Sequence, residues 1–483
     1  MKMKRAWSSK SLFITALCLV ILIAGGCLVG PDFKPPPMTV PEEWAGVPKG
    51  PTDRTSMATT RQSDLVGWWR EFNDPTLTFL VEQALKVNLD LKIAETRLRQ
   101  ARAARGVVAG GLWPVVTASG GYQWSKTGEE SGQDRFQTGL DVAWEIDLFG
   151  GRRRSLESAG ADVRAEVENI RAVQVSLIAE VALNYVLLRG SQQQILIAQK
   201  NLEAQRHSLG ITRKRFEAGF ASALDVANAE AAVASTESQI PVFEIAVHQF
   251  IHGLSVLLAR PPADLLERLS PKDLLPRLPL QVPAGLPSDL LRRRPDIRAS
   301  EARLHSATAK IGVAVADLFP VFSLTGAINL SSDLLHTLLS ASKRSLELTQ
   351  SITWPLFQGG AIRSNIRLQE ALRDEAFITY QKTVLIALQE VEDSLTAFDR
   401  EQRRWQDLVK AVTANRRAVD LSLKLYTAGV SDFLNVLVAQ RSLYNSEDAL
   451  AQSEKNIALD LIALYKALGG GWESPGEPRA DLK

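Results

Sequence analysis

The chain contains 483 residues, of which 45% are hydrophobic, and its 56 basic side chains nearly balance its 54 acidic ones. A nearly neutral chain without a basic cluster argues against nucleic acid as a partner. The sequence contains no nucleophile and base arrangement, P-loop or glycine-rich cofactor turn, so we predict that the protein is not an enzyme and binds no cofactor.

The first 26 residues have the pattern of a bacterial lipoprotein signal peptide. Four basic side chains precede an apolar run, residues 12–23, that is too short to cross a bilayer, since a span needs about 20 residues. Small residues then lead to Cys27, as in a lipobox, where the cysteine is lipidated and begins the mature chain. We predict cleavage after residue 26, a lipid on Cys27 and, because Leu28 rather than aspartate follows, an outer-membrane destination. An uncleaved membrane anchor is the alternative.

Residues 27–73 are rich in proline, glycine and polar side chains, which predicts a lipid-anchored, extended N-terminal segment. Asp74 followed by Pro75 is a typical helix start, because a capping side chain precedes proline at the first helical position. We predict helix from there to residues 110–111, with a break near Asn88.

Two stretches of β-branched and aromatic residues follow, at 115–124 and 136–146. In the second stretch the apolar and polar side chains alternate, which is the period of two expected for a half-buried strand. A polar loop with glycine joins the two stretches, so we predict a β-hairpin over residues 115–146.

A long helix without proline is predicted from Arg152 to Ala218, and at 1.5 Å per residue it would measure roughly 100 Å. Large apolar residues recur every seven positions, a pattern that keeps one seam of a helix against a neighbour. They are Val181, Leu188, Ile195, Leu202, Leu209 and Phe216. Gly219 can end the helix in the left-handed conformation, and Ser222 with Asp225 can cap a returning helix to about residue 260.

The same pattern returns 210 residues later, which indicates a tandem duplication. The second seam is Val391, Phe398, Trp405, Val412, Val419 and Tyr426. Prolines concentrate in residues 261–287, which predicts a linker between the repeats. The predicted parts are the first repeat at 74–260 with its tip near Gly219, the second repeat at 288–468 with a β-hairpin at 321–356 and its tip near Gly429, and a C-terminal tail at 469–483.

Four strands of about ten residues with tryptophans near their ends have the length and interfacial aromatics of a transmembrane β-barrel. Lipid does not tolerate unpaired strand edges, and single-chain barrels have at least about eight strands. Two or more chains must therefore pool their strands. The alternative is that the hairpins pack on soluble helices.

Eight short segments add a family resemblance when they are taken in order. They are CLVGPDF at 27–33, WWREFNDP at 68–75, WEIDLFG at 144–150, LLRRRPDI at 290–297, WPLF at 354–357, QEVE at 389–392, AQRSL at 439–443 and ALGGGW at 467–472. Together they span essentially the whole mature chain and resemble the outer membrane factor family, the TolC- and OprM-like channels of tripartite pumps. The lipobox is similar to that of the OprM-like lipoprotein branch.

The resemblance implies a membrane α+β fold and a set of partners. Three chains would form a homotrimer whose 12-stranded outer-membrane β-barrel continues as a long periplasmic α-helical barrel with an equatorial domain. The trimer would be the passive exit duct of an efflux system for small hydrophobic or amphipathic compounds such as drugs. Its partners would be a periplasmic adaptor (membrane fusion) protein and an inner-membrane pump of the RND type. The duct of a type I protein-secretion system and a periplasmic spacer without a pore are the alternatives.

The resemblance also places the adaptor at the two helical-hairpin tips. Small residues at these tips would allow close backbone approach: Ala218, Gly219, Ala221, Ala428 and Gly429.

The expected gate lies at the second tip. The acidic residues and the latching arginine of TolC-like channels correspond here to Asn435, Val438 and Ser431. Because these positions carry no charge, we expect closure to depend mainly on an apolar ring of Leu434 and Val438, which excludes ions by dewetting. Asp225 and Tyr426, which pair across the hairpins in the family, would add a hydrogen bond. Simple packing of both residues between neighbouring helices is the alternative.

Glu244, His248 and His252 are spaced four apart on one helix face and could supply metal ligands. No fourth ligand is near in sequence, and the mature chain keeps only Met38 and Met57 for a soft-metal cluster. We therefore predict a solvated face and no metal site.

Overall fold

The computed structural model of the chain describes residues 28–46, 57–59, 65–128, 131–273, 275–276, 281–340 and 344–472. The helices are α1 Pro75–Val87, α2 Leu89–Gly110, α3 Gly151–Glu217, α4 Ala223–Leu257, α5 Leu266–Leu269, α6 Pro287–Arg293, α7 Pro295–Ala316, α8 Ala361–Thr427 and α9 Phe433–Ala467. The strands are β1 Met57–Thr59, β2 Val115–Ser125, β3 Gln133–Ile146, β4 Gln281–Pro283, β5 Val321–Ser332 and β6 Arg344–Thr353. The predicted signal peptide and Cys27 lie outside the described residues.

The helix lengths confirm the predicted duplication. Helices α3 and α8 each contain 67 residues, and the returning helices α4 and α9 each contain 35. The helices before the two β-hairpins, α2 and α7, each contain 22 residues. Within each repeat the order is therefore helix, β-hairpin, long helix and returning helix.

By its internal contacts the chain divides into two units. We call the first the sheet unit, which contains the described residues of 28–38, 96–167 and 299–382. We call the second the tip unit, which contains the described residues of 39–95, 168–298 and 383–472. The sheet unit holds both long β-hairpins, and the tip unit holds both helical-hairpin tips.

Both predicted β-hairpins are observed, and they join into one antiparallel sheet in the sheet unit. The strand order is β2-β3-β5-β6, so β3 and β5 connect the two repeats in the register Phe136↔Ser332 to Ile146↔Phe322. Strands β2 and β6 form the edges, and their side chains are exposed along their whole length. A sheet of four strands with two open edges is a template for pairing with further strands.

Equivalent tryptophans anchor the two β-hairpins in the same way. The indole Nε1–H of Trp144 donates to the carbonyl of Leu112 at 3.0 Å, and Trp354 donates to Leu318 at 3.0 Å. Each bond connects the end of a β-hairpin with the turn before its first strand. The duplication therefore preserved this hydrogen bond together with the strand pattern.

The seven-residue seams pack as predicted over most of their length. In the first seam Val181, Leu188, Ile195 and Leu202 are buried. The two seams differ at the tips, because Phe216 is 46% exposed whereas the equivalent Tyr426 is 3% exposed. Equal spacing thus does not give equal burial at the ends of the two repeats.

Two predicted segments contain structure that the proline and glycine content concealed. The segment predicted as extended over 27–73 includes a 3₁₀ helix at Trp68–Phe72, whose aromatic side chains are buried. The predicted linker at 261–287 contains α5 and β4, and β4 pairs in parallel with β1 of the N-terminal segment. Long-range pairing supplies backbone partners that neither segment has locally, so local composition could not predict it.

The start of the predicted C-terminal tail is part of the core of the tip unit. Tyr465 stacks on Trp68 with ring centroids 4.8 Å apart. The Nε1–H of Trp472 donates to the carbonyl of Arg293 at 3.0 Å. Arg171 and Arg298 lie over the Trp472 ring, at 4.5 and 5.5 Å from its centroid. The ALGGGW segment therefore closes a buried aromatic cluster.

Asp460 on α9 generates a prediction about pH. Burial, together with the nearby Glu401 carboxylate, raises the pKa of Asp460 from 3.8 to about 6. Between these two values the folded chain binds more protons than the unfolded chain, so the free energy of unfolding falls as pH rises through this window. At about 1.4 kcal/mol per pKa unit, the folded chain loses on the order of 2–3 kcal/mol by pH 7.

We predict that Asp460→Asn raises the thermal midpoint of the detergent-solubilised protein at pH 7.5 and has a much smaller effect at pH 4. Asparagine has the same shape but carries no charge to desolvate. The matched control is Asp407→Asn, because Asp407 is 78% exposed and pairs with Lys410 on the same hairpin. An equal shift of the midpoint at both pH values would contradict this prediction.

Candidate functional site

The two helical-hairpin tips lie in the tip unit and begin with the same backbone turn. At the end of α3, the N–H of Phe220 donates to the carbonyl of Arg215 and Gly219 adopts φ 78°. At the end of α8, Val430 donates to Leu425 and Gly429 adopts φ 76°. Glycine ends both helices because the left-handed conformation is strained for other residues.

The returning helices begin differently. As predicted, Ser222 and Asp225 form a capping box: the Asp225 N–H donates to Ser222 Oγ at 3.1 Å, and the Ser222 N–H donates to Asp225 Oδ2 at 2.9 Å. At the second tip, the side chain of the N-cap residue Asp432 makes no capping hydrogen bond. The first tip is therefore the more strongly capped.

A small buried cluster lies directly behind the tips. Tyr426, Phe433, Val436 and Ala229 form it, and Tyr426 and Phe433 have ring centroids 5.4 Å apart. The hydroxyl of Tyr426 donates to Thr212 Oγ1 at 3.4 Å. Because Ala229 and Thr212 belong to the first hairpin, this cluster connects the two hairpins.

Arg215 adds a second connection between the hairpins. Its guanidinium carbon lies 4.7 Å from the centroid of the Tyr426 ring, and its Nη1–H donates to the carbonyl of Thr427 at 3.1 Å. Its buried Nε has no hydrogen-bond partner among the described residues. A first-hairpin arginine thus contacts both the ring and the backbone at the end of α8.

The predicted pairing of Asp225 with Tyr426 is wrong within the chain. Asp225 Oδ2 accepts from both the backbone and the hydroxyl of Ser222, whereas Tyr426 is bonded to Thr212. The capping box satisfies the carboxylate locally, at the start of its own helix, and the ring of Tyr426 is buried on the other hairpin. Tyr426 matches the alternative of packing between helices.

The other predicted gate residues, Leu434 and Val438, lie one turn apart on α9 and are 59% and 53% exposed. Phe220 and Val430, which occupy equivalent positions in the two turns, are 74% and 73% exposed. The small residues predicted as a docking surface, Ala218, Gly219, Ala221, Ala428 and Gly429, lie in the same two turns. The tips therefore present large apolar side chains beside a backbone that has little side-chain cover.

The histidines predicted to lie on a solvated face are on α4. The rings of His248 and His252 are 6.1 Å apart between centroids. Within the part of the chain that the structure describes, no group of three or more His, Cys, Asp or Glu side chains could hold a metal ion.

Comparison with known proteins agrees with this geometry. The family model for outer membrane efflux proteins matches residues 80–260 and 286–470, which correspond to the two repeats. The probable efflux pump outer membrane protein TtgC of Pseudomonas putida is 34% identical over 473 residues, with 95% of this chain and 96% of the relative covered. The pyoverdine export outer membrane protein OpmQ of Pseudomonas aeruginosa is 33% identical over 481 residues, covering 97% and 98%.

A solved structure of the outer-membrane channel OprN superposes with a TM-score of 0.85 at 38% identity, covering 92% of this chain and 100% of that chain. The chain belongs to the outer membrane efflux protein family. It is an outer-membrane efflux duct that extends into the periplasm, which confirms the predicted family, fold class and location.

Arg215 is the site residue that the sequence reasoning missed. The resemblance directed attention to an arginine on the second tip, where Ser431 stands instead. Comparison of the repeats alone does not single it out, because Arg213 and Arg215 both correspond to leucines 210 residues later, Leu423 and Leu425.

We predict that Arg215→Ala raises the open fraction of the channel several-fold in planar bilayers. A cation–π contact and one hydrogen bond between the hairpins are together worth about 1–2 kcal/mol, which is lost in the variant. The matched control is Arg213→Ala, because Arg213 pairs at 2.6 Å with Glu230 on its own hairpin. Both variants lose one positive charge at the tip, so equal effects on the open fraction would contradict a specific role for Arg215.

Proposed function

We propose that the protein is the passive exit duct of a tripartite efflux system and works as a homotrimer. The observation that carries this proposal is the four-stranded sheet, whose edges β2 and β6 have no partner strand within the described chain. Backbone groups in lipid must be paired, and closed barrels are the only sheets that meet this condition. Four strands per chain are too few to close a barrel alone. Three chains would supply 12 strands, enough for a barrel with a water-filled lumen.

The tips are the proposed docking surface for a periplasmic adaptor, which would connect the duct to an inner-membrane pump of the RND type. The exposed Phe220 and Val430 support this proposal, since large apolar side chains at equivalent positions of two repeats form a patch for a partner. Gly219 and Gly429 leave the adjoining backbone accessible to a partner that approaches closely.

The proposed cargo is small hydrophobic or amphipathic compounds, including drugs. The relatives support it through their names, which concern an efflux pump and the export of pyoverdine. A type I protein-secretion duct receives no specific support from the contacts described above. The lipid on Cys27, within the predicted signal-peptide junction, is proposed as a further anchor in the outer membrane.

The proposed gate is the apolar ring formed by Leu434 and Val438 of each copy. Their exposure in the single chain leaves them free to face a lumen, and apolar constrictions close by dewetting. Tyr426 and Asp225 have secondary roles: Tyr426 holds the hairpins together behind the ring, and Asp225 caps the first tip.

We predict that Phe220→Asp together with Val430→Asp abolishes dye efflux in a host strain from which the wild-type gene has been deleted. Both side chains are exposed, so the change leaves no cavity in the fold but places charge on an apolar docking patch. Trimer abundance in the outer membrane should stay at the wild-type level. The control is Ala234→Asp, an exposed position on α4 away from the tip. Wild-type efflux by the double variant would exclude docking at this patch.

We predict that Leu434→Ala with Val438→Ala raises single-channel conductance more than Tyr426→Phe does. The double variant widens the apolar constriction, whereas Tyr426→Phe removes only the hydrogen bond to Thr212. A ring without carboxylates should also resist block by trivalent cations added from the periplasmic side. High-affinity block of the wild-type channel would place the constriction elsewhere.

A further inference from the structure

Residues 29–33 lie directly after Leu28, the first described residue, and their GPDF motif has no role in the gate or the tips. They pass directly against helix α7 in the sheet unit. Gly30 adopts φ 85°, and a Cβ added to it would lie 2.4 Å from the Cα of Gly312. The two backbones therefore touch, and an L side chain at Gly30 is excluded by both its conformation and its surroundings.

Arg154, near the start of α3, donates hydrogen bonds to two backbone carbonyls and one side chain of this segment. Its Nε–H donates to the carbonyl of Val29 at 3.1 Å, and its Nη2–H donates to the carbonyl of Gly30 at 3.3 Å and to Asp32 Oδ1 at 2.7 Å. Its Nη1–H donates to Glu157 Oε2 at 2.8 Å. Arg154 is 2% exposed, so the segment supplies most of the partners of a buried charge.

Phe33, the last residue of the motif, packs on a separate platform, the ring of His305. The ring of Phe33 stacks on His305 with centroids 4.3 Å apart. A guanidinium can only donate, so the contact of Arg164 Nη2 with His305 Nδ1 at 3.0 Å makes Nδ1 the acceptor. Nε2–H then donates to Glu157 Oε1 at 2.8 Å. Glu157 thereby connects the platform under Phe33 with the guanidinium that holds Val29 and Gly30.

The segment is also tied to the end of strand β3. The N–H of Val29 donates to the carbonyl of Phe149 at 3.2 Å, in the turn that leads from β3 into α3. The same arrangement leaves no room for a side chain at Gly312, because a Cβ there would lie 2.8 Å from Arg154 Cγ and 2.9 Å from the Val29 carbonyl oxygen. An ion pair between Arg154 and Glu157 alone would require neither glycine.

We propose that residues 29–33 are an internal docking tag and that Arg154, Gly312 and His305 are its receptor; we call the assembly the N-terminal lock. The lock fixes the chain just after the lipid-attachment position to the strand-to-helix turn. The consequence for the membrane rests on the proposed lipid at Cys27. With that lipid attached, the lock positions the anchor so that it enters the membrane beside the barrel wall. The segment predicted as extended over 27–73 is therefore fixed to the sheet unit at its start.

The test is the motion of a nitroxide attached at Lys34→Cys, an exposed position directly after the motif. Cys18 belongs to the leader, and an acylated Cys27 thiol cannot react, so the label is unique. The variants are Arg154→Ala and Gly30→Ala. The second lies outside every helix and strand, so it keeps the test valid if loss of the buried arginine impairs folding. The matched control is Arg153→Ala, whose guanidinium pairs with Asp147 at 3.3 Å instead.

The expected result is slow nitroxide motion in the parent protein and in Arg153→Ala. Arg154→Ala and Gly30→Ala should shorten the correlation time about ten-fold, into the range of a free terminus. Trimer abundance and incorporation of labelled palmitate should not change. Equally slow motion in Gly30→Ala and the parent would overturn the lock. If palmitate is not incorporated and a second nitroxide attaches to Cys27, the anchor is overturned. The lock is still decided by the difference in nitroxide motion between Gly30→Ala and the parent.

Discussion

The unpaired backbone of strands β2 and β6 is the constraint on which the rest of the structure depends. In lipid every N–H and C=O must find a partner, and a chain with four strands leaves two edges open. The duplication explains how the chain came to have four strands, since β3 and β5 join one hairpin from each repeat. The proposed trimer would pair the remaining edges. The same duplication explains the equal helix lengths, because each β-hairpin is followed by one helix of 67 residues and one of 35 residues.

The two tips use one backbone turn for different chemistry. Gly219 and Gly429 end their helices in the same conformation, but the ring of Phe216 lies at the surface and that of Tyr426 is buried. The first tip closes on itself through the capping box, whereas the second depends on contacts that reach across to the other hairpin. A partner that separates the hairpins would therefore disturb the second tip first, because its packing and its contact with Arg215 cross the boundary between them.

Sequence predicted the regular parts of the fold because their signals are local and repeated. The absence of proline gave the bounds of α3 to within one residue, and the residue pattern gave the first β-hairpin with strands slightly shorter than observed. The errors concern contacts between distant segments. Asp225 was expected to meet Tyr426, but a carboxylate three residues after a serine satisfies itself at its own helix start at lower entropic cost. Trp472 and the 3₁₀ helix at Trp68–Phe72 each find their partners only in the folded chain, so composition alone could not predict those contacts.

The N-terminal lock has a consequence for the order of events during biogenesis. Its receptor is divided between the two repeats, since Arg154 lies at the start of the first helical hairpin and Gly312 belongs to α7 of the second repeat. The ribosome must therefore add more than 150 residues after Arg154 before a complete receptor exists. Throughout that interval the first residues of the mature chain remain accessible to the enzymes that process and acylate it. The terminus that emerges first is thus among the last to be fixed, and its docking reports that both repeats have folded together.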